Sequence, residues 1–137
     1  MSTPSSVFVY GTLKRGELRG SAWPRRPVRV ASAVVEGTLY DLGRYPTLVA
    51  GKDCVRGELW TFARDDLPPT LEALDAIEGY ANSPRDLYVR RIVTCEDDDG
   101  SDIPAWTYLF ARTEWLDAAR RILPDAWGFC AWSPEKR

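Results

Sequence analysis

The sequence predicts a small α+β protein whose strands close, or nearly close, into one sheet. Two observations lead there. The 137 residues hold many short β-branched or alternating segments but a single well-patterned helix. A chain of this size with many strands and few helices must curl its sheet to cover its own core. No low-complexity linker or internal repeat interrupts the chain, so residues 1–137 read as one domain, long enough to bury a real core.

Residues 5–10 read as a short buried strand that stops at Gly11. Residues 12–27 are turn-rich and basic, with Gly16, Gly20, Pro24 and Pro27. Residues 28–40 are β-branched and partly alternating, with Gly37 as a bulge or a close backbone approach. Residues 45–50 follow as a short extended piece and residues 54–62 as a separate strand, in which Glu58 has a structural or exposed role. Pro68 and Pro69 stand where a helix begins, and the helical pattern covers about residues 70–78. Residues 87–95 alternate, with Leu87, Val89, Val93 and Cys95 on one side and Tyr88, Arg90 and Ile92 on the other. The acidic residues 96–102 make a hairpin tip, and residues 104–111 return as its second strand. Thr113 caps a second helix ending near Leu123 and Pro124. Of the six tryptophans, Trp60 and Trp106 fall in strand patterns and belong to the core, while Trp127 and Trp132 pin the C-terminal tail.

Composition removes whole classes of chemistry. A formal net charge of −2 with no basic groove argues against a nucleic-acid partner. No apolar run reaches the length of a membrane span and the N-terminus lacks a signal-peptide pattern, so the expected setting is the cytoplasm, away from membranes. Cys54, Cys95 and Cys130 are odd in number and far apart, which fits reduced, partly buried thiols rather than a disulfide framework or a metal clip. The absence of histidine excludes Ser-His and Cys-His nucleophiles and imidazole shuttles within this chain. A carboxylate is then the natural proton carrier. Gly11 and Gly16 have the spacing of P-loop glycines, but Glu17 and Leu18 stand where Lys and Ser/Thr are required. Aligning Gly100 with the glycine of a calcium loop puts Cys95 and Trp106 at ligand positions that neither can fill. Neither a nucleotide-phosphate loop nor a calcium loop is therefore expected.

Glu78 is the candidate for that proton carrier. At about 100° per residue it projects from the helix face that also carries Leu71 and Leu74, so the stripe that packs inward bears an ionisable group. Partial burial and the negative end of the helix dipole both disfavour the carboxylate, which predicts proton exchange near neutrality, as acid/base work requires. The bland alternative is an exposed Glu in a frayed last turn before a Gly79 cap. The strand end at Gly11 has two readings as well: a nest of backbone N–H groups that binds a carboxylate, or a bare tight turn. Tyr88 and Arg90 share a strand face and either orient a substrate or serve an outer surface.

Taken in order, Val9-Tyr10-Gly11-Thr12-Leu13, Gly37-Thr38-Leu39-Tyr40-Asp41, Tyr45-Pro46-Thr47-Leu48-Val49, Val55-Arg56-Gly57-Glu58-Leu59-Trp60, Leu74-Asp75-Ala76-Ile77-Glu78-Gly79-Tyr80 and Tyr88-Val89-Arg90 resemble the γ-glutamylcyclotransferase-like superfamily. The resemblance runs from about Val7 to Tyr108. It implies a small mixed β-barrel flanked by short helices, with a cavity at its mouth. It further implies that Glu78 is the acid/base and that Tyr10, Gly11, Thr12 and Leu13 hold the α-carboxylate and amino end of a γ-glutamyl group. Tyr45 and Tyr88 match positions that line the pocket. The implied reaction is cyclisation of a small γ-glutamyl substrate to 5-oxoproline without metal or cofactor. The alternative is a non-catalytic module of the same fold that binds a small carboxylate. Residues 17–23 are basic and bulky where many relatives carry asparagine and small polar residues, so the leaving amine stays open between an amino acid, a polyamine and an acylated metabolite.

Overall fold

The structure, a computed structural model, describes residues 4–11, 13–14 and 23–132. Thr12 and most of the basic segment after Lys14, including Gly16 to Gly20, lie outside the described residues. The elements in chain order are β1 (Ser6–Val9), β2 (Arg29–Asp41), β3 (Pro46–Thr61), α1 (Leu67–Glu78), β4 (Tyr88–Asp97), β5 (Asp102–Phe110) and β6 (Phe129–Cys130).

The strands run in the order β1-β5-β4-β2-β3-β6, and an added pairing of β1 with β3 closes the first five into a mixed barrel. The expected closure is therefore present. β1 lies antiparallel to β3 over Ser6↔Thr61 to Val9↔Glu58 and parallel to β5 at Val7↔Trp106. Because that parallel ladder is so short, the buried Thr107 hydroxyl reinforces it by donating to the Phe8 carbonyl at 2.9 Å. Every residue of β1 is buried, which is why the segment reads as a continuous run rather than an alternation.

Two core clusters occupy the two faces of the sheet. One joins Val7, Val9, Trp60, Tyr88, Tyr108 and Phe110 to the α1 leucines Leu67, Leu71 and Leu74. The other collects Phe8, Tyr10, Ala33, Val35, Leu39, Leu59 and Cys95 with Cys130 and Trp132 from the end of the chain. Neighbours in β1 thus serve opposite clusters, as the two-residue period of a strand requires.

Four expectations need correction. Residues 45–50 and 54–62 form one continuous strand, β3, not two pieces. Its register against β2 slips between Gly37 and Thr38, whose partners are Asp53 and Val49, and the intervening residues of β3 bulge out instead of ending the strand. The predicted helix at residues 113–123 is replaced by two single 3-10 turns, Thr113–Trp115 and Ala118–Arg120. Long-range pairing wins there: Tyr40 bridges Arg121, and the Ile122 N–H donates to Leu39 at 2.8 Å. Trp132 is buried at 3% exposure and does anchor the tail, but Trp127 is 80% exposed and does not.

The sidedness of β4 also differs. Val93 and Cys95 pack inward as expected, but Leu87 precedes the strand and is exposed, while Tyr88 is buried among the α1 leucines. α1 covers the first part of the face that carries Tyr88 and Arg90, while Ile92 further along the same face is exposed.

Candidate active site

The helix end is built to hold Glu78 in one place. α1 begins with Pro68 and Pro69, whose missing N–H groups cost nothing in a first turn, and buries Leu67, Thr70, Leu71 and Leu74. It ends at Gly79 in the left-handed region, with φ 69° and ψ 28°. The Gly79 N–H donates to Ala76 at 3.3 Å and the Tyr80 N–H to Asp75 at 2.8 Å, a Schellman pair that closes the helix directly after Glu78. Glu78 is therefore part of a defined cap rather than a frayed turn, and it is half-buried.

The other wall begins where β1 runs out. The Lys14 N–H folds back to the Gly11 carbonyl at 3.1 Å, making a turn. Gly11 needs no unusual φ; it is small because a Cβ there would lie 2.8 Å from Pro46 Cδ. Pro46 opens β3, and the short connection before it, closed by Leu42 N–H to Tyr45 carbonyl at 3.0 Å, leaves Tyr45 exposed at the rim. After the helix, the Asp86 carboxylate accepts the N–H groups of Ala81 and Ser83, both at 3.0 Å, and so compacts the loop that leads into Leu87 and Tyr88.

These pieces enclose a cavity of about 200 Å³. Tyr10, Gly11, Leu13, Tyr45, Glu78 and Tyr88 all line it, together with Pro46, Ile77, Leu87 and Tyr108. Six of the seven residues singled out from the sequence thus meet in one space; Thr12 lies outside the described residues. Tyr88 is the half of the Tyr88/Arg90 pair that faces it.

Two phenols of this cavity, Tyr10 and Tyr108, are poor proton carriers. Burial pushes the Tyr10 hydroxyl far above its ordinary range, and the negative charge of Glu78 pushes it further. Its proton is committed to the Tyr108 carbonyl at 2.6 Å. Burial raises Tyr108 as well, followed by its hydrogen bond to Asp75. Among the described residues lining the cavity, Glu78 is the one carboxylate.

Sequence reasoning did not single out Asp75 or Tyr108, and it left Arg90 undecided. Asp75 accepts from Arg90 Nη1 at 2.8 Å and from the Tyr108 hydroxyl at 2.5 Å. Arg90 is stacked 4.8 Å from the Trp106 ring and 5.6 Å from that of Tyr80. The available signal was helical spacing: Asp75 stands three residues before Glu78 and shares its face.

Away from this cavity, the acidic hairpin tip brings Asp97, Asp98 and Asp99 together. The Arg29 guanidinium sits 3.4, 2.8 and 3.6 Å from them and supplies the positive charge.

A small closed barrel whose first strand ends in a glycine turn, facing a carboxylate held at a helix cap, defines the γ-glutamylcyclotransferase-like class. The family model described as gamma-glutamyl cyclotransferase, AIG2-like, matches residues 7–129, and the chain belongs to that family. Gamma-L-glutamyl-butirosin B gamma-glutamyl cyclotransferase from Niallia circulans is 29% identical over 116 residues, 82% of this chain and 70% of that protein. A Vibrio cholerae protein with the provisional name gamma-glutamylcyclotransferase is 35% identical over 112 residues, 80% of this chain and 85% of its own length. Among solved structures, a mouse AIG2-like protein aligns with a TM-score of 0.61 at 22% identity, covering 99% of this chain and 100% of that one. YkqA from Bacillus subtilis aligns with a TM-score of 0.60 at 23% identity over 80% of this chain, which spans 36% of YkqA. At such identities these two likenesses show the fold alone.

Among the described residues no helix is long and apolar enough to cross a membrane.

Proposed function

We propose that this protein is a γ-glutamyl cyclotransferase that releases 5-oxoproline from a γ-glutamyl amine or γ-glutamyl amino acid, with Glu78 as the proton carrier. The observation that carries the reading is the shared cavity: Glu78 at the helix cap and Gly11 at the first strand's end line the same space of about 200 Å³. Family membership supports the reaction class.

The α-amine of the substrate is an ammonium at neutral pH and cannot attack until a base removes a proton. Glu78 takes it. The freed nitrogen bonds to the γ-carbonyl carbon, and the bond from that carbon to the leaving nitrogen breaks. Two protons pass in all from the α-nitrogen to the leaving amine, by way of Glu78, so no net proton is released and no co-reactant is consumed. Tyr10 to Leu13 hold the glutamyl head, and backbone N–H groups of that turn supply donors for the oxyanion. Holding the chain folded contributes effective molarity to ring closure. The phenols of Tyr10 and Tyr108, kept protonated, leave the shuttle to Glu78. A reducing, cytoplasmic setting belongs to the same reading and is supported by three unpaired thiols.

Glu78→Gln tests the proposal. The variant is expected to keep the wild-type melting transition while 5-oxoproline release from a γ-glutamyl amine and amino-acid library drops about 10²- to 10⁴-fold. Turnover at the wild-type rate would dismiss the mechanism. Affinity without turnover in the wild type would favour the binding module instead.

A further inference from the structure

We propose that Asp75 and Arg90 act as a charge-balanced positioning pair for Glu78, tying the end of α1 to the sheet while cancelling each other's field at the Glu78 carboxylate. This rests on the reading of Glu78 as the proton carrier.

The mechanical half follows from the contacts. Asp75 sits three residues before Glu78, so their side chains emerge as neighbours on one helix face, with Cβ atoms about 5–6 Å apart. Both carboxylate oxygens of Asp75 are engaged, one by Arg90 of β4 and the other by Tyr108 of β5. Its backbone carbonyl accepts the Tyr80 N–H that closes the cap. One residue thus fastens the last turn of α1 to two strands and to its own terminus. The chain of bonds continues through the Tyr108 carbonyl to the Tyr10 hydroxyl on the far wall of the cavity. Arg90 is held further by its guanidinium lying over the Trp106 and Tyr80 rings.

The electrostatic half follows from the charges. The ion pair is only 23% exposed on each side, so solvent screens it incompletely. With both members present, a negative and a positive charge stand near Glu78 and largely offset one another. Among the described residues lining the cavity, the other titratable groups are Tyr10 just beyond β1, Tyr88 from β4, Tyr108 from β5 and Tyr45 at the rim, all phenols. Tyr10 and Tyr108 stay neutral across the working range. Asp86, in the loop that follows α1, is engaged by the Ala81 and Ser83 amides. Deleting one member of the pair therefore leaves the other as the new uncompensated charge beside the carboxylate. At a separation of about 7 Å and an effective dielectric of roughly 30 to 40, for a site partly open to solvent, a bare unit charge moves a titration by about one pH unit.

The test reads Glu78 directly, independent of turnover. Full-length protein is labelled with carboxyl-¹³C glutamate, and the resonance that vanishes in Glu78→Gln identifies the group. Asp75→Asn, which keeps an acceptor for Tyr108 but leaves Arg90 bare, is expected to lower the Glu78 midpoint by about one pH unit. Arg90→Met should raise it by a similar amount, Arg90→Lys should restore it, and the double variant Asp75→Asn/Arg90→Met should return near wild type. The acid limb of kcat/KM for L-γ-glutamyl-p-nitroanilide should follow the same four shifts. Shifts of the same sign in the two single variants, or none in either, overturn the proposal. The Arg90 variants carry the test if Asp75→Asn fails to fold. Opposite shifts in a protein that turns over no γ-glutamyl compound would uphold the pair and dismiss only the cyclotransferase reading.

Discussion

Substituting Gly11 by alanine separates space from conformation at the first-strand turn. The backbone there is ordinary for any residue, so the cost comes from the added methyl alone. That carbon would lie 2.8 Å from Pro46 Cδ and 2.9 Å from Cγ, so ordinary contact needs the two segments to part by about 0.6 Å. Pro46 is buried and opens β3 against Asp41, which leaves it no rotamer to retreat into. Overpacking of this kind costs about 1–3 kcal/mol. A 1 Å misplacement of reacting groups costs about 10²-fold, so a shift of this size should lower turnover by roughly tenfold. Urea melts and 5-oxoproline release measure the two effects. Pro46→Ala removes both offending carbons, so Gly11→Ala/Pro46→Ala should recover at least about 1 kcal/mol relative to the sum of the single changes. Strictly additive stabilities would refute the steric account.

Other positions give independent checks. Gly79→Ala places a Cβ at φ 69° and should cost about 1–2 kcal/mol, seen as a melting-temperature fall of a few degrees; an unchanged transition would contradict the cap assignment. Asp97 is held below the usual carboxylate range, first by the Ser101 N–H and then by the Asp99 N–H and Arg29. Its folded value is depressed, so its contribution is full above the unfolded value of about 4 and is lost as pH falls through the folded one. Urea midpoints at pH 6, 4 and 2.5 should therefore fall less steeply in Asp97→Asn than in wild type, and parallel curves would count against the hairpin role. Burial pushes the Cys95 thiol up to about 12, so iodoacetamide at pH 8 should label half-buried Cys54 before Cys95 in the native protein. Equal labelling rates would mean that the barrel opens readily.

Some features were legible because they depend on neighbours in sequence. The helix stripe at Leu71 and Leu74, the glycine that ends it and the close backbone approach at Gly37 are local consequences of side-chain spacing and backbone freedom. Features decided across the fold were not legible. The segment after Thr113 has good helix formers, yet it turns twice in 3-10 form because its end must bond to Leu39 and its Arg121 pairs with Asp53 at 2.7 Å. The residues bulged out of β3 include Gly51 and Lys52, which fall in the gap between two separate strands until β2 is laid beside them. Arg90 and Asp75 lie on different elements, and only the packing of α1 on β4 makes them partners.

The two best-spelled motifs of the chain each turn on a glycine. Gly11 is fixed by what its neighbour occupies and Gly79 by the sign of its own φ, two unrelated constraints. Each sets a backbone position rather than a side-chain contact, and between them they fix both walls of the cavity: the turn beyond Tyr10 and the cap that carries Glu78. Tyr10, lodged in one core cluster with its hydroxyl on the Tyr108 carbonyl, ties the first wall to the strand under the second. Under the proposed cyclotransferase reading, a γ-glutamyl group reaching between these walls would have to fold, and its length would set how far apart they can stand. The geometry therefore tolerates changes at the exposed rim, where Tyr45 and Leu87 stand, far better than at either glycine.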